Sequence, residues 1–342
     1  MVRQAIVFCM GSNSADPPAQ AAGRLLPHRG VPENQVLLIL AVDHRASLER
    51  DLYGLTAPPT PAQAARISTD KLLVYQALLD ATGELPTGVR PGVLIDEQYG
   101  ASVAELAART GGAVSLCMPI EASGQDWFSF AYGQDWQRHA GFFTSEHAKV
   151  LVRDNPGLDP ARREQQARRL AQVSAWAAAA GRSLIIELLV PATDADRAAA
   201  EGSADRYDDE LRPQHTLQVM KYLQDRGVDP AIWKVEGLGR HDDAVAVAAA
   251  AGRGGRRARC VVLGRHARRG KLKHWLQVAA PIPGWIGFAI GRSIWQDPLH
   301  AHLHHHGTAG EARRRITRAY LDYAGYYLRA REGTLTEADP WL

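Results

Sequence analysis

The sequence predicts a (β/α)8 barrel, a closed parallel sheet wrapped in helices, and three observations predict it. Eight short apolar runs alternate with longer helical stretches rich in Ala and Arg, the pattern of parallel strands joined by covering helices. Eight such units in succession favour a closed barrel over an open, doubly wound sheet. No linker or break in composition divides the series, so residues 36–342 read as one domain. Residues 1–35, rich in Pro, Gly and Ala, precede the first clear strand and read as an N-terminal extension.

The elements follow in order. Residues 36–43 (VLLILAVD) form the first strand, with helical sequence over 71–81. The second strand, 92–96 (GVLID), leads to a helix over 102–109, and the third is 114–121 (VSLCMPIE). The fourth, 147–153 (HAKVLVR), precedes the clearest helix, 160–180. The fifth, 183–190 (SLIIELLV), is followed by a polar insertion, 194–209, and a helix over 213–226. The sixth is 232–238 (IWKVEGL), with an Ala-rich helix over 242–251. The seventh and eighth are 259–264 (RCVVLG) and 285–291 (WIGFAIG), before an amphipathic helix over 311–331.

Composition narrows the function classes. With 46 % apolar and 23 % charged residues the chain is an ordinary globular protein, which excludes wholesale disorder and fibrous structure. No apolar stretch reaches the ~18 residues a membrane span needs, and the opening MVRQAIVFCMGSNS is too short and weakly basic for a signal peptide. Cys9, Cys117 and Cys260 are scattered and odd in number, which argues against a disulfide framework and fits a reducing cytoplasm. A net charge of +3, evenly spread, leaves no nucleic-acid footprint. Only six of the 40 basic residues are Lys. A lysine inside an apolar strand therefore draws interest, because its amine can lose a proton at working pH and a guanidinium cannot.

Parallel strands covered on both faces should be almost wholly apolar. Five of these strands nevertheless carry ionisable residues at or near their C-terminal ends: Asp43 with His44 and Arg45, Asp96 with Glu97, Glu121, Glu187, and Lys234 with Glu236. Lys149 joins them from the fourth strand. Barrel active sites form at that C-terminal face from several strands. The two-residue strand period puts Lys234 and Glu236 on one face, and His147, Lys149 and Leu151 on another. Any one of these residues reads equally well as a solvated strand end or half of a structural ion pair. Burying all of them without purpose would cost several kcal/mol each.

Two lysines and nearby carboxylates fit Schiff-base chemistry. An amine in an apolar cavity beside a second cation is nucleophilic at neutral pH and condenses with a ketone. The iminium draws electrons from the adjacent carbon, and a carboxylate moves the protons for C–C cleavage. Strand pattern leaves Glu187, Glu121 and Glu236 as candidates for that carboxylate. Gly264 and Arg265 after the seventh strand, and Gly291 and Arg292 after the eighth, occupy the loops where barrels often hold a phosphate.

In order, LAVDHR, LIDEQYG, HAKVLVRDNP, IIELLVPA, IWKVEGL, RCVVLGRHA and GFAIGRSIW resemble class I (β/α)8 aldolases of the tagatose-1,6-bisphosphate aldolase type, over about residues 35–331. The likeness is closest to the aldolase domain fused to 5-dehydro-2-deoxygluconokinase in myo-inositol catabolism. It implies Lys234 as the Schiff-base lysine, Glu187 as the proton shuttle, Lys149 as the fourth-strand lysine, and Asp43, Gly291 and Arg292 as pocket residues. Arg45, Asp96, Glu121, Gly264 and Arg265 complete the expected substrate- and phosphate-binding set. The implied reaction cleaves 2-deoxy-5-keto-gluconate 6-phosphate to dihydroxyacetone phosphate and malonate semialdehyde, without metal or cofactor. Any kinase step is expected of another protein, and GRHARR at 264–269 is more basic than in the inositol-pathway aldolases. Alternatives are an aldolase for a ketohexose phosphate, bisphosphate or sulfo-sugar phosphate, or a barrel that binds a sugar phosphate without turning it over. The joint presence of Lys149, Glu187 and Lys234 favours an enzyme, since a binding barrel needs no reactive amine.

The expected partner is a small phosphorylated sugar, with further copies of this chain as an alternative to a monomer; no nucleic acid or membrane is expected. His300, His302, His304, His305 and His306 follow the last strand without a carboxylate among them and read as surface. A zinc site would need His ligands at strand ends. Residues 253–259 (RGGRRAR) read as a solvated cationic loop, with a polyanion contact as the alternative. Trp127, Phe128 and Trp136 read equally as pocket cover or as ordinary packing.

Overall fold

The computed structural model of the chain describes residues 35–336. Cys9 and all but the last residue of the expected N-terminal extension lie outside the described residues. Eight strands form the barrel: β1 (Val36–Ala41), β2 (Val89–Leu94), β3 (Ser115–Pro119), β4 (His147–Arg153), β5 (Ser183–Leu189), β6 (Ile232–Glu236), β7 (Arg259–Leu263) and β8 (Trp285–Ile290). All are parallel and neighbour one another in chain order, and β8 returns to pair with β1. The closed (β/α)8 barrel is the fold the sequence predicts.

Helices fill each crossover. After β1 come α1 (Ala46–Asp51) and α2 (Pro61–Thr82), then α3 (Glu97–Ala108), α4 (Trp136–Phe142) and α5 (Pro160–Ala179) after the next three strands. α6 (Asp194–Ala199), α7 (Ala204–Arg206) and α8 (Arg212–Gln224) follow β5, and α9 (His241–Ala251) and α10 (Arg269–Ala279) follow β6 and β7. α11 (Arg292–Leu303) and α12 (Ala309–Glu332) close the chain outside β8. The long helices start where local chemistry satisfies their free N–H groups. Thr60 and Gln63 cap α2 reciprocally ahead of Pro61, and Thr308 and Glu311 do the same for α12.

Alternation along each strand divides the core in two. Val36, Leu38 and Leu40 of β1 join the large apolar cluster shared with the helices, whereas Leu37, Ile39 and Ala41 join Leu94, Cys117, Ile185, Ile232 and Val261 inside the barrel. Continuing the inward column by two residues from Ala41 reaches Asp43. The same step leads from Ile185 to Glu187 and from Ile232 to Lys234. Polar side chains thus cap an apolar plug at the C-terminal mouth because of strand period alone.

Several expected boundaries shift. β2 begins at Val89 and ends at Leu94; Pro91, which masks a strand in sequence, sits inside it. Asp96 is therefore not a strand residue but the N-cap of α3, accepting from the Tyr99 N–H at 2.8 Å. β3 stops at Pro119, and Glu121 lies beyond it in an antiparallel bridge with Phe130. The 194–209 insertion is largely helical, carrying α6, α7 and the start of a π-helical turn, Tyr207–Leu211. The 253–259 segment is not simply solvated: Arg253 pairs with Asp225 at 2.6 Å and Arg256 donates to the Gln224 carbonyl at 3.2 Å.

Candidate active site

A cavity of about 390 Å³ opens at the C-terminal mouth, lined by residues that follow or end seven of the strands. Lys149 stands at its floor. Its Nζ donates to Asp43 Oδ2 at 2.9 Å and Glu121 Oε1 at 2.8 Å, and contacts Glu187 Oε2 at 2.7 Å. The other Glu187 oxygen, Oε1, lies 2.9 Å from Lys234 Nζ. Glu187 and Lys234 face each other because β5 and β6 pair them in register. Both lysines are about 2 % exposed, so this charge cluster is shielded from bulk water.

Burial disfavours the Lys149 charge, but Asp43, Glu121 and Glu187 together overcome it and raise its pKa well above the ordinary lysine value. Lys149 therefore holds its proton more firmly than an ordinary lysine does. Burial also works against Asp43 and Glu187, yet Lys149 and Lys234 hold both below the usual carboxylate range. Glu121 differs: burial pushes it up despite Lys149 and Arg45, and its Oε2 is buried without a hydrogen-bond partner. His44, beside Asp43, lines the same cavity. Burial, helped by Arg292, Lys71 and Lys234, lowers it to about 4 against the pull of Asp43, so its ring is neutral near pH 7.

The expected substrate-binding residues divide. Gly264, Gly291 and Arg292 line the cavity together. A Cβ at Gly291 would overlap the Ala41 carbonyl oxygen, so only glycine lets the start of α11 approach β1 this closely. Arg292 opens α11 half-buried, and its ionic partner, Asp51, is 4.0 Å away. Arg45 also lines the cavity, but its Nη2 donates to the Glu121 carbonyl at 2.9 Å and lies 3.6 Å from the Glu121 carboxylate. It positions Glu121.

Two expected binding residues are engaged elsewhere. Arg265 reaches the rim, but its guanidinium is held by Asp208 at 2.9 and 3.0 Å and by Glu236 at 2.7 Å. Asp208 belongs to the insertion and also pairs with Arg212 and Lys271. Asp96 is fully buried outside the cavity lining and pairs with Lys71 of α2. Lys71 Nζ also donates to the His44 carbonyl at 2.8 Å, so this buried pair supports the Asp43–Arg45 turn from behind. Glu236, with Arg265 on one oxygen and the Val190 N–H on the other, is no free proton carrier.

Other features fall outside the site. Phe128, Phe130, Trp136 and Trp176 pack on one another, and Trp127 lies under Arg162. The histidines of α11 and the turn after it are mostly exposed, and among the described residues no three His, Cys, Asp or Glu side chains form a metal-holding set. A wider cleft of about 830 Å³ lies against α11 and α12, outside the barrel. The sequence reading passed over Lys71 and Arg153, and it named His44 at a strand end without giving it a role. Lysine scarcity flags Lys71, adjacency to Asp43 flags His44, and the inward column Lys149, Leu151, Arg153 flags the last of these.

Comparison with known proteins adds a family and a fold relative. No curated protein matches the chain. Among solved structures, fructose-bisphosphate aldolase from Plasmodium falciparum, in complex with TRAP and a small-molecule inhibitor, superposes with a TM-score of 0.58. It is 13 % identical, over 94 % of this chain and 100 % of that one, a likeness of fold alone. The family model described as "Uncharacterized protein conserved in bacteria (DUF2090)" matches residues 26–331. With nearly the whole barrel inside that match, the chain belongs to this family.

Proposed function

We propose that the chain is a class I aldolase that cleaves a phosphorylated keto-sugar or keto-acid through a Schiff base on Lys234. The observation that carries this reading is one carboxylate, Glu187, set between two buried amines of which only Lys149 has three acidic partners. Those partners keep the Lys149 proton in place, leaving Lys234 as the amine to attack. The fold relative that bears an aldolase name is consistent with the reading.

Glu187, ionised at rest, accepts a proton from the Lys234 ammonium, and the freed amine adds to the substrate ketone. Glu187 returns that proton to the carbinolamine hydroxyl, which leaves as water as the iminium forms. The carboxylate then takes the proton of the hydroxyl two carbons from the iminium carbon. The C–C bond breaks, an aldehyde departs, and the electron pair is held as an enamine. Protonation of the enamine carbon by Glu187 and hydrolysis release the second product. Lys149 acts here through Glu187, which stands between the amines, and orients the carbonyl oxygen. Arg292, with the backbone at Gly264 and Gly291, receives the phosphate beside the ketone. Asp43, Glu121 and Glu187 all contact the Lys149 ammonium.

The favoured substrate is 2-deoxy-5-keto-gluconate 6-phosphate, giving dihydroxyacetone phosphate and malonate semialdehyde. Borohydride with dihydroxyacetone phosphate should inactivate the protein and add mass to the peptide containing Lys234. Lys234→Arg keeps the charge and should abolish both labelling and turnover, and chelators should leave activity unchanged. Labelling on Lys149 would exchange the lysine roles. No labelling, with chelator-sensitive turnover, would overturn the mechanism.

A further inference from the structure

We propose that Arg153 binds a carboxylate at the end of the substrate farthest from Arg292, and so selects the aldehyde half of the reaction. The inference rests on the aldolase reading but concerns a residue that reading does not use.

Position comes first. Arg153 ends β4, two steps along the inward column from Lys149. In a closed ring of eight strands, β4 stands opposite β8, after which Arg292 begins α11. The two arginines therefore stand on opposite sides of the mouth of the cavity that Lys149, Glu187 and Lys234 also line. Both residues line the same cavity.

Free donors come second. Five arginines line this cavity. Arg45 is held by Glu121, Arg50 by Asp51 at 2.7 Å, and Arg265 by Asp208 and Glu236. Arg153 donates through Nη1 to the Gln125 carbonyl at 2.7 Å and forms no ion pair among the described residues. Its Nε and Nη2 hydrogens remain available, a fork that fits a carboxylate.

Surroundings decide which anion. Arg153 also lines a second cavity of about 390 Å³, which shares Leu189 and Arg265 with the first and is otherwise walled largely by Val190, Pro191, Ala192, Ala204 and Tyr207. The other charged groups of that lobe are engaged: Arg265, Arg212 and Lys271 surround Asp208, Arg265 also holds Glu236, and Arg197 pairs with Asp194 and donates to the Ala192 carbonyl. A lone available guanidinium over an apolar wall balances a monoanion and leaves a phosphate dianion under-compensated. With the ketone on Lys234 and the phosphate at Arg292, the chain beyond the cleaved bond extends toward β4. The released aldehyde carries the carboxylate.

The test runs the reaction as synthesis, with dihydroxyacetone phosphate as donor. Malonate semialdehyde is compared with propanal, an uncharged acceptor of the same carbon count, and with glyceraldehyde 3-phosphate. The protein should prefer malonate semialdehyde over both, and over propanal by ~100-fold in kcat/KM, mainly through KM. Arg153→Ala and Arg153→Gln should each cut the preference over propanal by ~10-fold or more, and added guanidinium ion should restore part of it in Arg153→Ala. Because the readout is a ratio, a reduced folded fraction cancels. An unchanged ratio in both variants overturns the assignment, as does a wild-type preference for glyceraldehyde 3-phosphate. Borohydride trapping of dihydroxyacetone phosphate on the wild-type protein separates the two failures. Labelled Lys234 with an unchanged ratio sinks Arg153 alone, whereas no labelling sinks the aldolase reading.

Discussion

Glu187 divides its two oxygens between two amines, and the most direct residue-scale test follows from that division. Glu187→Gln keeps the size and one acceptor but cannot carry the proton, so turnover should fall ~10²–10⁴-fold while the fold is preserved and Lys234 can still be trapped. A near wild-type rate would move the shuttle to Glu121, which lines the cavity and has a buried oxygen without a hydrogen-bond partner. Arg292→Ala should raise KM for a phosphorylated substrate more than it lowers kcat, because a phosphate contact made equally in ground and transition states is uniform binding. An unchanged KM would remove Arg292 from the anion site. His147 makes a different prediction. Burial, helped by Arg90 and opposed by Glu146, lowers it from 6.5 to about 4. Its stabilising contribution is fully present above pH 6.5 and is lost as the pH falls toward 4, because the unfolded chain takes a proton the folded one refuses; the loss is about 3 kcal/mol. His44 is lowered similarly and adds a term of the same sign. His147→Gln should therefore remove roughly half of the combined slope between pH 6.5 and 4 in urea titrations. An unaltered slope would contradict a neutral, buried His147. The column positions Asp43, Lys149, Glu187 and Lys234 were legible in the sequence because strand period alone carries them inward. Asp96 and Arg265 were not, because their engagements depend on Lys71 and Asp208, which lie 25 and 57 positions away.

The insertion after β5 is the element whose role sequence pattern hid most completely. In sequence it reads only as a polar insertion, yet Asp208 is 2 % exposed and receives Arg212, Arg265 and Lys271. Arg212 and Arg265 also hold Asp208 below its ordinary carboxylate value against the effect of burial. The carboxylate therefore ties the π-helical turn before α8 to the loop after β7 and to α10, forming one wall of the second cavity. Asp208→Asn would leave three cations competing for a neutral amide and should cost about 3 kcal/mol. Limited proteolysis should then cut within residues 194–211 faster than elsewhere; an unaltered cleavage pattern would show that the wall does not depend on this residue. Boundaries elsewhere failed for simpler reasons. Pro91 concealed the first half of β2, and α2 extends ten residues upstream of the segment read as helical because the Thr60–Gln63 cap and Pro61 start it early.

At the scale of the whole molecule, the barrel is sealed where β8 meets β1, and glycines on that side make the seal possible. Gly287 pairs with Leu37, and a Cβ there would overlap the Leu37 carbonyl oxygen. Gly287→Ala should cost about 3 kcal/mol or more, read as a lower urea midpoint, because the clash is with backbone that cannot rotate away. A stability within error of wild type would mean that the strands can separate at that point without cost. That eight units close into a barrel was legible in the sequence; that closure depends on Gly287 was not, since the clash involves a strand some 250 positions earlier. Tyr320 and Trp295 fasten the same region by donating to the carbonyls of Leu38 and Ala41. This seam has a consequence for the order in which the site is assembled. Lys149, Glu187 and Lys234 come from three strands in the middle of the chain, whereas the Gly291–Arg292 corner gains its place against Ala41 only when the last strand docks on the first. During synthesis on the ribosome the amine pair can therefore gather before the Gly291–Arg292 corner exists, so that the phosphate site proposed there would be the last part to form.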